Sequence, residues 1–498
     1  MIKLVSRCLV LAAVFAAVGC QTTNPGGNNP DPEPQPQSDV VTRISTADNT
    51  MHFDRVGKNF GEGFNENLGT TVYLKPAVKY QEIDGFGIAL NGSACYNLMK
   101  MTAPAREKIM KETFSVEEGM GYSYTRISIG CSDFSLSDYT CCDKKGIENF
   151  ALTGEETEYV IPVLKQALAI NPNLKIMGSP WTCPKWMKVG SLDKKEPYDS
   201  WIGGYLNPDY YDDYATYFVK WIQAFEAEGI HIESITIQNE PLNWGNSASL
   251  YMEWTQCRDL VKVLGPKMAA AGLTTKILVF DHNYNYDGKD SQQKYPCRIY
   301  EDATANQYID GAAYHHYGGQ PDEMTRVHNL YPQKNLYFTE GSIGTWNYQS
   351  YEQSFKDMAD NVCFKTVQNW AKCAIMWNYM LQVDPSIPGE GPYREHGCTT
   401  CYGALSMDEA FAVRERRGLY YCMGQMAWAL RSGSTRIGTA GYNPSNVEIL
   451  ASENPDGTYG MVFYNKNNSG VTLTVEDGSH YFTLTLPGES MTSAVWKK

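Results

Sequence analysis

Through the middle of the chain, short β-rich apolar runs alternate with stretches whose apolar residues recur at helical spacing. The runs fall at residues 83–90, 124–130, 175–181, 234–240, 276–283, 311–317, 335–340 and 374–381. Between two of them, residues 212–228 place Tyr214, Phe218, Trp221 and Phe225 at i, i+4, i+7 and i+11, one face of a helix, with Gly229 following as a C-cap. Residues 250–271 and 351–372 are similarly long and amphipathic. Strand–helix alternation of this kind, with eight runs, predicts an α/β chain closed into a (β/α)8 TIM barrel. An open doubly wound sheet is the rival, and it favours a Gly-rich phosphate loop after an early strand. No GxGxxG occurs, and Gly85-Phe86-Gly87 is too short to replace one.

The period changes near residue 423. Residues 446–452, 458–465, 470–476, 479–486 and 491–496 alternate apolar and polar positions, with turn signals at 454–457 (NPDG) and 467–470 (NNSG). This pattern predicts a small β-sandwich. Residues 41–80 also read as short β segments and are expected to complete it, so that both chain ends build one appended β-sandwich domain. The predicted organisation is residues 1–20 signal, 21–40 tether, 41–80 first part of the sandwich, 81–422 barrel and 423–498 the remainder of the sandwich.

The signal is read from Lys3 and Arg7, the apolar run at residues 8–17, and the small residues before Cys20. That run is shorter than the ~20 residues a membrane span needs. The box at Cys20 predicts a lipid-anchored cysteine, the alternative being cleavage without lipidation. Residues 21–40 are a Pro/Gly/Asn-rich tether. An exported outer-membrane lipoprotein is expected, periplasmic or at the cell surface, touching the membrane through lipid alone.

Composition narrows the function. With 42 Lys+Arg against 56 Asp+Glu the formal net charge is −14, which argues against a nucleic-acid partner. The 34 Tyr, 17 Phe and 11 Trp supply a large core and rings suited to sugar faces. Of 14 cysteines, Cys8 and Cys20 belong to the signal. Cys141-Cys142 and the Cys398-x-x-Cys401 pair stand out, and disulfides or buried thiols are favoured over a zinc or redox site because no second CxxC follows at the usual separation.

Two predicted strands close on glutamate: the fourth as Gln238-Asn239-Glu240-Pro241, the seventh as Thr339-Glu340-Gly341. Polar residues at the carboxyl ends of barrel strands face the active site, and an unpaired buried carboxylate is costly. Salt-bridged structural glutamates are the alternative for either residue alone. As a pair on one rim, Glu240 and Glu340 suit glycoside hydrolysis, which uses one protonated and one ionised carboxyl group. Arg126, on the second strand, is a candidate to hold one of them ionised. Adjacent His315 and His316 point to opposite faces of a strand, so no metal is expected, and two-carboxylate hydrolysis uses no cofactor.

Six segments stand in register along the chain: Gln81 to Gly87 (QEIDGFG), Arg126-Ile-Ser-Ile-Gly with Asp133-Phe-Ser, Ser179 to Lys188 (SPWTCPKWMK), Gln238-Asn-Glu-Pro, Thr339-Glu and Trp377-Asn378. Together they resemble glycoside hydrolase family 30, the glucosylceramidase-like enzymes that include bacterial β-1,6-glucanases. The resemblance implies that Glu240 is the acid/base and Glu340 the nucleophile of a retaining β-glycoside hydrolase. It also implies that Asp133, Trp181, Asn239, His315, Tyr317 and Trp377 line the sugar subsite, with Arg126 beside the nucleophile. Two departures stand out: His315-His316-Tyr317 where the family often has His-Trp-Tyr, and Gly341-Ser342 after the nucleophile. Residues 280–287 and 398–402 look more like the β-1,6-glucan hydrolases of the family than its lipid-cleaving members. A β-glucan is therefore the expected substrate; glucosylceramide and a non-catalytic glycan-binding lipoprotein are the alternatives.

Overall fold

The computed structural model describes residues 38–61, 69–246, 248–393 and 397–498. The signal segment with Cys20, and most of the tether, lie outside the described residues.

Eight parallel strands form the barrel: β1 (Gly85–Ile88), β2 (Tyr124–Ser128), β3 (Lys175–Ser179), β4 (Ser234–Thr236), β5 (Lys276–Asn283), β6 (Ile309–His315), β7 (Asn335–Glu340) and β8 (Ala371–Met376). Each is hydrogen-bonded to its neighbours in chain order, with β8 paired to β1. Amides of Ser123 and Leu90 donate to the carbonyls of Phe86 and Arg126, both at 3.0 Å, and close β1 onto β2. Side chains alternate across each strand. Tyr124, Met177, Leu278, Ala313, Tyr337, Cys373 and Ile375 make a buried cluster of their own, separate from the core between strands and helices, and fill the barrel. Two positions further on, Arg126, Ser179 and Thr339 keep the same parity and meet at the carboxyl ends of their strands.

The helix predicted over 212–228 spans Tyr211–Ala227, and Gly229 takes φ +76°, the left-handed conformation a C-terminal glycine supplies. The one predicted from residue 250 begins only at Trp254, because Glu253 and Gln256 form a reciprocal capping box there. The helical run from Tyr351 ends at Gln368 rather than 372, since Trp370 turns to φ 77° and β8 starts at Ala371. β8 is thus earlier than the apolar pattern at 374–381 indicated. Asn378, at φ 76°, breaks that run, and Met380–Val383 leaves to pair with Leu405–Met407 in a small separate sheet.

The ends of the chain share one nine-stranded sheet. Val40–Thr46 pairs antiparallel with Ser490–Lys497, while Thr71–Ile83 lies between Ser434–Gly441 and Val471–Glu476. This sheet encloses a second core that includes Val72, Leu74, Phe463, Leu473, Phe482 and Trp496. Ser434–Gly441 is a strand the sequence pattern had not marked, and its last three residues are exposed. Barrel and sandwich meet on the helix Gly418–Ala429, every residue of which is buried. On that helix, Gln425 donates to Ser45 at 2.9 Å and accepts from Ser493 at 2.5 Å, bonding both ends of the chain at one position.

Candidate active site

Glu340 is the last residue of β7, and Glu240 lies four residues beyond β4. The Glu240 backbone sits at φ 44°, a conformation L-residues avoid, and its amide donates to the Asp281 carbonyl at 3.0 Å. Both carboxyl groups are nearly buried, at 7% and 6% exposed. One oxygen from each, together with a ring nitrogen of His315, lies within 4.8 Å of the other two.

Below them, Arg126 is fully buried and donates in four directions: to Glu340 Oε2 at 2.5 Å, Asp281 Oδ2 at 2.7 Å, Asn239 Oδ1 at 2.8 Å and Ser179 Oγ at 3.0 Å. Asp281 also accepts from Thr236 at 2.7 Å, Thr339 at 2.6 Å and His315 Nε2 at 3.0 Å. Burial alone would lower the Arg126 pKa, but Asp281 and Glu340 outweigh it and raise the pKa above its ordinary value. Burial likewise pushes Asp281 up, and Arg126 and His315 overcome this to hold it well below the usual carboxylate range. His315 is raised to about 9, burial being opposed by Glu340 and Asp281, so the ring is an imidazolium at neutral pH.

The two glutamates differ in what surrounds them. Glu340 is held at both oxygens, Oε2 by Arg126 and Oε1 by the Tyr317 hydroxyl at 2.9 Å. That hydroxyl also reaches Ser342 at 3.0 Å. Glu240 accepts from Asn243 at 2.8 Å and Asn246 at 3.2 Å, and its other oxygen lies 3.3 Å from His315 Nδ1. Burial pushes Glu240 up, but the His315 hydrogen bond and the charges of His282 and His315 bring it down to about 2. A glycosidic oxygen is an acceptor only, and placed against Glu240 it favours the protonated carboxyl. Glu240, His315 and Glu340 are a donor set close enough to share a cation, but the Glu340 oxygen that faces His315 is Oε1, which already accepts from the Tyr317 hydroxyl.

The cavity in front of the carboxylates is about 300 Å³ and is lined in part by Asp133, Trp181, Asn283, Tyr317, Trp377 and the Cys398–Cys401 disulfide. Trp181 and Trp377 stack on each other, centroids 4.9 Å apart, and both rings lie against the Arg126 guanidinium. The expected site residues therefore all converge. Asp133, Trp181, Tyr317 and Trp377 line the cavity, whereas Arg126, Asn239 and His315 lie behind it, Arg126 and His315 against the carboxylates and Asn239 against Arg126. His316 points away from the site, as its parity required. A Cβ on Gly341 would lie 2.3 Å from the His316 ring, so the two departures from the family pattern accommodate each other.

The sequence of the Glycosyl hydrolase family 30 TIM-barrel domain matches residues 83–389, and that of the family's β-sandwich domain matches residues 433–494. The chain belongs to glycosyl hydrolase family 30. Among relatives of this family 30 enzyme, the endo-1,6-beta-D-glucanase BGN16.3 of Trichoderma harzianum is 31% identical over 438 residues, covering 83% of this chain and 84% of its own. The lysosomal acid glucosylceramidase of Mus musculus is 25% identical over 455 residues, covering 86% and 84%. A solved structure, the endo-beta1,6-glucanase BT3312, is 52% identical, with a TM-score of 0.88 over 93% of this chain and 100% of that one.

Sequence reasoning missed Asp281, the hub of the buried charges. On β5 the residues Phe280 and Asp281 take φ 77° and 69°, and the pairing with β6 slips between Phe280 and His282. By strict alternation from Leu278, Phe280 would face the barrel interior. The slip sends Phe280 into the core outside the barrel and turns Asp281 inward instead. An acid inside the run KILVFDHN was the only signal. Asn243, Asn246 and Ser342 were missed because their roles depend on where short loops return.

Proposed function

We propose that this glycoside hydrolase cleaves β-1,6-linked glucan with retention of anomeric configuration. The observation that carries the chemistry is the approach of Glu240 and Glu340 oxygens to within 4.8 Å, since a direct nucleophile needs a shorter gap than an intervening water allows. In the first step a Glu340 oxygen bonds to the anomeric carbon while the glycosidic C–O bond breaks, and Glu240 gives its proton to the leaving oxygen. In the second, water attacks the same carbon, Glu240 accepts the water proton, and the bond to Glu340 breaks. Arg126 and Tyr317 hold the Glu340 carboxylate in one plane for attack and receive it again on release.

The linkage is supported by the 52% identity to the solved endo-beta1,6-glucanase and by the Trichoderma relative. Glucosylceramide is the second reading, favoured by the mouse relative. Export with a lipid on Cys20 is part of the proposal and rests on the first forty residues of sequence alone. The test is incubation of the purified protein with linear β-1,6-glucan, following reducing ends and the anomeric form of the first product by NMR. Wild type should release β-anomeric ends, and Glu340→Gln should fall by at least about a thousandfold. Release of α-anomeric ends would refute the mechanism; activity on glucosylceramide alone would refute the linkage.

A further inference from the structure

Three tryptophans line the cavity, and one of them has no part in holding the carboxylates. Trp181 and Trp377 are 1% and 2% exposed, so neither offers a broad free face. Trp346, six residues after Glu340, is 50% exposed. A scattered exposed aromatic needs no explanation. This one is different because it is built into place. A Cβ on Gly344 would lie 2.0 Å from the indole and 2.5 Å from the Thr400 carbonyl, so the ring rests directly on backbone. Ile343–Gly344 pairs antiparallel with Cys401–Tyr402, and the Thr345 amide donates to the Thr400 carbonyl at 2.9 Å. Asn347 accepts from the Gly344 amide at 2.9 Å and donates to the Ser342 carbonyl at 3.1 Å. The Cys398–Cys401 disulfide closes the turn that carries Thr400, and both cysteines line the cavity themselves. Trp244 makes the contrast. It is 40% exposed, but it packs on Tyr205 and Tyr251, with centroids 5.5 and 6.1 Å away, and does not line the cavity.

We propose that Trp346 is a preformed stacking platform for the sugar unit adjoining the one bonded to Glu340, and that the Cys398–Cys401 turn holds the platform in position. The ligand class is a β-linked gluco-oligosaccharide of at least two units, and the inference rests on the reading of this cavity as a glucan-cleaving site. A rigid apolar face binds a pyranose ring with little ordering cost, so its contribution falls on substrates long enough to reach it.

The experiment measures kcat and KM on β-1,6-gluco-oligosaccharides of increasing length for wild type, Trp346→Ala, Trp346→Tyr and the double variant Cys398→Ser/Cys401→Ser. Trp346→Ala should lose about tenfold in kcat/KM on the longer substrates, mostly through KM, equivalent to about 1.4 kcal/mol. The tyrosine variant should recover most of that loss. Dithiothreitol should raise KM for wild type as the serine pair does, because the other ten cysteines among the described residues are already free thiols. Circular dichroism confirms that each variant is folded. An alanine variant within twofold of wild type at every length overturns the platform. If wild type prefers another β-linkage, the same series in that linkage is used. A loss there keeps the platform and discards the β-1,6 reading, whereas cleavage that gains nothing from a second unit overturns it.

Discussion

Replacing Asp281 by asparagine keeps the shape of the side chain and removes the charge on which the buried cluster is built. Its two oxygens accept four hydrogen bonds, from Arg126 and Thr236 on one side and from Thr339 and His315 on the other. An amide has one oxygen, so in either orientation two donors face an N–H2 group. Each stranded donor costs about 1–3 kcal/mol, and removing one partner of a buried ion pair costs about 3–5 kcal/mol. These describe the same loss twice and are not summed, so Asp281→Asn should destabilise the fold by about 4 kcal/mol. Urea unfolding at pH 7, followed by tryptophan fluorescence, measures this as a lower midpoint at unchanged slope. Thr339→Val, which removes one hydroxyl donor and leaves the charge, should cost about 2 kcal/mol by the same assay. The sign with pH follows from the direction of the shift. Asp281 is held below its ordinary 3.8, so its contribution is present above that pH and is lost as the pH falls further. The deficit of the variant should therefore shrink under acid conditions. A variant within about 1 kcal/mol of wild type at pH 7 would refute Asp281 as the hub.

Two further predictions concern groups on either side of that hub. Tyr317→Phe removes the hydroxyl that donates to Glu340 and leaves the ring, and kcat should fall about 10- to 100-fold, the range of a hydrogen bond to a charged group; unchanged steady-state turnover would deny that hydroxyl a role. Glu155 is buried behind the loop that carries Asp133, accepts from the Leu136 amide at 2.8 Å, and is raised by burial to about 7. Its folded value lies above the ordinary 4.5, so its stabilisation is full below that pH and lost as the pH rises through about 7; Glu155→Gln should be about 3 kcal/mol more stable than wild type at pH 8, and equal stability in thermal or urea melts at both ends of that window would count against it.

The barrel was legible because its strands are buried on both faces and read as unbroken apolar runs. Glu240 and Glu340 were legible because a carboxylate ending such a run conflicts with burial unless it has work to do. What could not be read depends on departures from regular geometry. β8 began earlier than its run indicated because Trp370 and Asn378, both at positive φ, reset its ends. Asp281 was hidden by a slip of pairing that no alternation pattern reports. The Cys398-x-x-Cys401 spacing fits both a disulfide and half a metal site, and only the strand pairing with Ile343–Gly344 explains what the closed turn supports.

The strand Val40–Thr46 has Ser490–Lys497 as its neighbour, with Val40 opposite Trp496. As the polypeptide leaves the ribosome, Val40–Thr46 can pair at once with His52–Lys58 but has no partner on its other side until Ser490–Lys497 has emerged. The barrel strands, each beside the next in chain order, can associate progressively, but the sandwich closes only once Ser490–Lys497 has emerged. Loss of Ser490–Lys497 would leave that side of Val40–Thr46 open, its other side staying paired with His52–Lys58, and the open side is where a truncated copy would begin to aggregate.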